Sequence, residues 1–173
     1  MSLQIEIVSQ DNFEDVLPMI AEYQTFYKAE PDGARNRAFF VQLLRSHERG
    51  IQFIAYTDRP IGFCTVYFNF KSTRALEIAS LNDLYVREEG RGLRKSGTAL
   101  ALMDAAFTYA REHGYPMLEG KTTTDNFIAQ KFYEHYGSKR LGHVATRSSH
   151  YIYLVDFEAP LVEGEVNAVR ELD

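Results

Sequence analysis

Asn126-Phe127-Ile128-Ala129-Gln130-Lys131-Phe132-Tyr133 places an amide and a phenol on what its spacing predicts is a single helix. A phenol with a pKa near ~10 stays protonated at neutral pH and can hand its proton to a leaving group. Upstream, Leu84-Tyr85-Val86 runs through Gly90-Arg91-Gly92-Leu93-Arg94-Lys95-Ser96-Gly97 into an amphipathic segment. A strand-to-helix turn of this kind points backbone N–H groups outward, and the helix dipole favours a phosphate there. Glycines let the backbone approach such an anion closely. Arg91, Arg94 and Lys95 reverse the charge locally in a chain whose net charge is −5. Together the two stretches fit group transfer around a nucleotide-bearing carrier. Taken alone, the turn is equally an ordinary βα connection with exposed basic residues, and Tyr133 by itself reads first as a core tyrosine at helical spacing.

The elements that must position these residues follow from periodicity. Leu3–Val8 alternates as an edge strand. Asp11 and Glu14 have capping-box spacing ahead of a helix over Asp11–Tyr27, closed by Pro31-Asp32-Gly33. A second helix covers Arg35–His47, with Ala38, Phe39, Val41 and Leu43 towards its buried side. Ile51–Thr57 and Ile61–Phe70 form a hairpin, and Ala75–Val86 is a long strand. After the glycine turn, Ala99, Leu100, Met103, Ala106, Phe107 and Ala110 mark a helix ended by Gly114. Met117–Thr123 is a strand, Asp125–Tyr136 a helix ended by Gly137, and Lys139–Thr146 with His150–Phe157 a last hairpin. The order β-α-α-β-β-β-α-β-α-β-β predicts an α/β (α+β) fold. Its central sheet is mixed and mostly antiparallel, and four helices flank it. The β-α-β crossover makes Ala75–Val86 and Met117–Thr123 the one parallel pair.

The chain has 173 residues, expected as one domain over 1–157 with a charged C-terminal tail over 158–173. At that size folding buries roughly 70% of the unfolded surface, so the core needs no staples. One cysteine excludes an internal disulfide framework, and Cys64 in an apolar run reads as a small core residue. No apolar stretch approaches the ~20 residues of a membrane span, so no membrane association is expected. The N-terminus shows no basic region followed by an apolar segment, and a cytoplasmic protein is the default expectation. Net acidity argues against a nucleic-acid partner and is compatible with a cationic substrate. The five histidines show no ligand spacing, so no metal site is expected.

Two familiar phosphate patterns fit poorly. A Walker loop needs Gly before Lys-Ser/Thr, and Arg94 precedes Lys95-Ser96. A dinucleotide fingerprint needs a third glycine where Lys95 stands, although Glu119 lies roughly where a ribose-binding acid would. By contrast, Arg91-Gly92-x-x-x-Ser96-Gly97 resembles the coenzyme A loop of the GNAT superfamily of N-acetyltransferases, with Arg94 at the first glycine position and Ser96 at the Gly/Ala position. Asn126-x-x-Ala129-x-x-Phe132-Tyr133 with Gly137 is similar to that family's second motif, and the element order matches over nearly the whole chain.

The resemblance implies a GNAT-type fold with a splayed parallel strand pair, and acetyl-CoA as cosubstrate. It implies that Leu84, Tyr85 and Val86 pair with the pantetheine arm. Gly92, Leu93, Arg94, Lys95, Ser96 and Gly97, with Arg91, would bind pyrophosphate. Asn126 would contact the pantetheine region, and Tyr133 would be the general acid. The Leu81-x-Asp83-x-x-Val86 stretch is similar to polyamine- and thialysine-type members, some of which carry an acid where this chain has Asn82. Asp83 is the candidate base, with Glu77 behind it. Tyr23, Tyr27, Glu30 and Asp32 are candidate acceptor contacts. The expected acceptor is a small primary amine such as a polyamine or amino-acid derivative, and the expected assembly a homodimer. A protein lysine or N-terminus as acceptor, a noncatalytic acyl-CoA sensor and an NAD-type oxidoreductase are the alternatives.

Overall fold

A computed structural model describes residues 2–91, 97–136, 139–144 and 150–156; for residue 91 and the last two stretches only the backbone is described. Gly92, Leu93, Arg94, Lys95, Ser96, Gly137 and the tail over 158–173 lie outside the described residues. The elements are β1 (Gln4–Ile7), α1 (Phe13–Phe26), α2 (Gly33–Arg45), β2 (Gly50–Tyr56), β3 (Pro60–Lys71), a 3-10 turn (Ser72–Arg74), β4 (Leu76–Val86), α3 (Glu88–Arg91), α4 (Thr98–Glu112), β5 (Met117–Thr123), α5 (Phe127–His135), β6 (Lys139–Val144) and β7 (His150–Asp156). The expected order holds with one addition. α3 is a single turn, too short to show an apolar repeat, and it makes five helices where four are expected.

Hydrogen-bonded strands follow the order β1-β2-β3-β4-β5-β7-β6. The chain divides into two compact groups. Met1–Phe68 with Asn82–Thr108 form the first, and Asn69–Leu81 with Tyr109–Asp173 the second.

In the first group β1, β2 and β3 make an antiparallel meander, with a register shift at Ala55/Tyr56. Val16, Met19 and Ile20 of α1, Phe40 and Leu43 of α2, and Ile54 and Phe63 of the sheet share one core. Each such side chain contributes about 1.5–3 kcal/mol by leaving water. The buried face of α2 is Asn36, Phe40 and Leu43; Phe39 turns outward, 51% exposed. Apolarity misplaces this face because Asn36 is buried as half of a reciprocal amide pair with Gln24, both bonds 2.8 Å.

The helix ends also differ from the capping expectations. Asn12, not Asp11, precedes α1, and its Oδ1 accepts from Ser9 N rather than from a helix N–H. Glu14 is held by the Arg37 guanidinium instead of closing a capping box. α1 stops ahead of Pro31-Asp32-Gly33. Lys28 takes φ 59°, Ala29 N donates to Gln24 O and Lys28 N to Thr25 O, a glycine-type helix end built on lysine. The Pro-Asp-Gly triplet opens α2, with Asp32 accepting from Arg35 N at 3.0 Å.

In the second group β4 pairs with β5 in parallel through Ala79↔Leu118, Ser80↔Glu119 and Leu81↔Gly120. The ladder ends at that third pair, although β4 continues to Val86 and β5 to Thr123. β5 pairs antiparallel with β7 along its whole length, and β7 with β6. α4 ends as expected at Gly114, where φ is 79° and Tyr115 N donates to Ala110 O at 3.0 Å. Nothing lies within 4 Å of a Cβ at Gly114, so only backbone strain opposes a side chain there. Gly114→Ala is expected to cost about 1–2 kcal/mol, read as a lower urea midpoint with unchanged slope.

Candidate functional site

β4 carries the first constellation. Strand alternation puts Leu81, Asp83 and Tyr85 on one face, and Asp83 is 7% exposed. Asn82 Nδ2 donates to Asp83 Oδ1 at 3.0 Å, and the Thr65 and Tyr23 hydroxyls stand beside the same carboxylate and favour its ionised form. Burial outweighs these polar neighbours and holds the Asp83 carboxyl above its ordinary value. Burial, and then the charge of Asp83, push the Tyr23 phenol up. Thr65 in turn accepts from Gln52 Nε2 at 3.0 Å, so a row of polar groups crosses β2, β3 and β4 under the apolar core. Gln52 Oε1 is buried with no partner.

Asp83 opens on a cavity of about 320 Å³ lined by Ile20, Tyr23, Gln24, Phe39, Phe40, Tyr67, Asn82 and Asp83. Of the acceptor-side expectations, Tyr23 reaches this cavity, and Tyr27 packs edge-on against it at 4.9 Å between ring centres. Asp32 does not reach it; it caps α2 and pairs with Arg35. Glu30 and Glu77 are exposed. Cys64 is buried as expected, with Sγ 3.6 Å from Leu102 O and its thiol pushed up by burial.

The end of β4 is fixed by charge and by close approach. Arg87 clamps Glu22 of α1 through Nε at 2.9 Å and Nη2 at 2.6 Å, and its Nη1 donates to Pro60 O at 2.9 Å. The guanidinium holds the Glu22 carboxyl below its ordinary range. The Tyr85 hydroxyl donates to the same carboxylate at 3.2 Å. A Cβ at Gly62 of β3 would stand 2.8 Å from Tyr85 O, so only glycine lets the two strands lie so close. At the described edge of the basic loop, Gly97 takes φ 58° and its carbonyl accepts from Ala101 N at 2.7 Å, starting α4. Thr98 Oγ1, in that first turn, is buried and without a partner among the described residues. An unsatisfied hydroxyl beside the positive end of a helix fits an anionic ligand.

The second constellation lies on α5 and β5. Tyr133 is 6% exposed. The hydroxyl end of its ring lies against Gly120, where a Cβ would meet Cε1 at 3.2 Å and the hydroxyl oxygen at 3.3 Å. Gly120 is also the partner of Leu81 in the last pair of the parallel ladder. Asn126 is the N-cap of α5, its Oδ1 accepting from Ala129 N at 3.1 Å. Gln130 ties the helix to the end of β5 through Thr123 O and Thr124 O. Glu119 is buried against Lys71, with Lys121 at 3.8 Å, which occupies the carboxylate a dinucleotide ribose would need.

Thr65, Gln52, Tyr67, Arg87 and Glu22 are absent from the sequence reading of the site. Thr65 and Gln52 did leave a signal, since each is the polar exception inside an apolar strand.

The sequence profile of the Acetyltransferase (GNAT) family matches residues 14–137. The uncharacterized N-acetyltransferase YhfO of Bacillus subtilis (strain 168) is 31% identical over 122 residues, spanning 70% of this chain and 80% of the relative. A crystal structure described as a probable acetyltransferase shares 26% identity with a TM-score of 0.70, over 92% of this chain and 99% of that one. A chain of the NatC complex bound to Gag peptide and CoA has the same fold at 17% identity and a TM-score of 0.68, over 91% of this chain and 99% of that one.

The folded protein holds the Asp83 proton more tightly than the unfolded chain does. Stability is therefore expected to fall as pH rises from the ordinary 3.8 towards the raised folded value, and to level off above it. Asp83→Asn removes that slope. Urea midpoints taken along the pH range test this, and parallel profiles for the two proteins would contradict it.

Proposed function

The chain belongs to the GNAT acetyltransferase family and is an acyltransferase, and on that premise we propose that it transfers acetyl from acetyl-CoA directly to the nitrogen of a small primary amine. The class proposed from the sequence includes polyamines and amino-acid derivatives. The CoA in the NatC-complex neighbour supports the cosubstrate, as does the buried, unpartnered Thr98 hydroxyl at the start of α4. Leu84, Tyr85 and Val86 would pair with the pantetheine arm. Arg91 and Gly92–Gly97 would hold the pyrophosphate.

The chemistry divides between two residues. The acceptor arrives as an ammonium and must lose a proton before it can attack. Asp83 takes that proton; its raised pKa narrows the gap to the amine and makes the transfer easier. The free amine attacks the thioester carbonyl, the C–N bond forms and the C–S bond breaks. Tyr133 gives its phenolic proton to the departing sulfur, and the second proton lost by nitrogen restores the phenol. One proton leaves to solvent through Asp83, so the products are the N-acetyl amine and free CoA. Asn126 contributes by capping the helix that carries Tyr133.

The observation that carries this reading is the Tyr133 ring seated against Gly120, where a side chain would push it away. A tyrosine phenol with its ordinary pKa near ~10 carries the proton that step needs at neutral pH. Tyr133→Phe is expected to lower kcat by roughly 10²–10⁴-fold and to leave acetyl-CoA affinity unchanged, measured by free-thiol release and by thermal shift with CoA. Full turnover in the variant would remove Tyr133 from the chemistry.

A further inference from the structure

The cavity beside Asp83 says more about the acceptor than that it is an amine. Among the described residues, Asp83 is the one charged group that lines it. An ionised carboxylate offers about four acceptor sites. Asn82 fills one of them at 3.0 Å, with the Thr65 and Tyr23 hydroxyls alongside, which leaves room for a further N–H. Of the other polar wall groups, Gln24 has its amide engaged by Asn36 in both directions and Asn82 gives an N–H to Asp83. What remains of the wall is Ile20, Phe39, Phe40, Tyr23 and Tyr67.

Apart from Glu30, which is exposed and is not among the residues lining the cavity, the other carboxylates of α1 and the following turn are already engaged. Glu22 is held by Arg87, Glu14 by Arg37 and Asp32 by Arg35, and Asp15 accepts from the Tyr56 hydroxyl at 2.7 Å. A chain of several ammonium groups would find one acceptor and then aromatic surface. A peptide would bring more backbone N–H and C=O groups than these mostly apolar walls can satisfy, which is costly in an apolar site. At about 320 Å³ the space lies at the small end of ligand pockets.

Building on the transferase reading above, we propose that the acceptor is a primary amine with a single cationic centre and an apolar, ring-sized body, its ammonium on Asp83 and its body against Phe39, Phe40 and Tyr67. This narrows the acceptor class and replaces the polyamine within it. Aromatic faces favour a cation beside the carboxylate and apolar surface beyond it. The burial that raises the Asp83 carboxyl is the same deficit of counter-charge that a bound ammonium would relieve.

The test titrates 2-phenylethylamine, ethylamine, spermidine and a tripeptide into the full chain by calorimetry without CoA, then repeats the series as acceptors in thiol release from acetyl-CoA. Binding of 2-phenylethylamine at least about tenfold tighter than spermidine or the tripeptide is expected. Asp83→Asn should weaken it by about tenfold or more. Phe39→Ala, at an exposed rim position that tolerates truncation, should weaken 2-phenylethylamine about threefold or more while leaving ethylamine unchanged. Preference for spermidine or the tripeptide, or wild-type binding in both variants, overturns the proposal. Thiol release driven by spermidine and not by 2-phenylethylamine also overturns it and leaves the transferase reading intact. Asp83-dependent binding of 2-phenylethylamine with no thiol release for any amine supports the cavity and sinks the transfer step instead.

Discussion

A carboxylate 7% exposed, bonded by an amide, flanked by two hydroxyls and facing aromatic rings, is the constraint around which the first group of elements is organised. Burying an anion is costly, and the structure meets that cost with polar neighbours rather than with a cation. Those neighbours come from α1, β3 and β4 itself, so the surroundings of the carboxylate depend on all three elements keeping their places. Thr65 is held in turn by Gln52 across the β2–β3 ladder. The row runs through the sheet at a depth where neighbouring positions are Phe53, Ile54, Phe63 and Cys64. These neighbours leave the carboxyl incompletely compensated for its burial, which keeps its pKa raised where it lines the cavity.

Glycine does the positioning that side chains cannot. Gly62 lets β3 approach Tyr85 O, and Gly120 leaves room for the hydroxyl end of the Tyr133 ring over β5. Neither takes a left-handed backbone; a methyl group would collide at Gly62 and crowd the ring at Gly120. The Arg87–Glu22 fork works alongside Gly62 by fixing the residue that follows β4 to α1. Backbone exit from β4 is thus held by an ion pair on one side and a strand contact on the other, ahead of the turn that leads into the basic loop.

Much of the fold was legible. Strand alternation, helical repeats and turn residues reproduced every strand and four of the five helices, with β5 matched to its ends. The errors have a common physical source. Pro31-Asp32-Gly33 reads equally as a stop or a start, and the start won because Asp32 caps α2 while Lys28 ends α1 in a conformation glycine usually supplies. Phe39 and Asn36 exchanged the expected faces because Gln24 makes a buried asparagine satisfied, and that pairing lies twelve residues apart in sequence. Asn126 was visible as a motif residue, while its role as the cap of α5 appears only with the backbone in place.

By itself the sequence determined the element order, the parallel crossover, the family, and the residue types able to move a proton or face a phosphate, because these depend on local propensity and on spacing along one chain. Only the tertiary structure decided which of them work together. Asp83 and Glu77 sit on the same strand, and both were candidates; burial by Tyr23 and Tyr67 and the hydroxyls on neighbouring elements single out Asp83, while Glu77 stays exposed. The seat of Tyr133 on Gly120 was equally invisible, since it depends on a helix crossing a strand at a glycine. Desolvation and close approach are properties of what surrounds a residue in space, and neither is written in its neighbours along the chain.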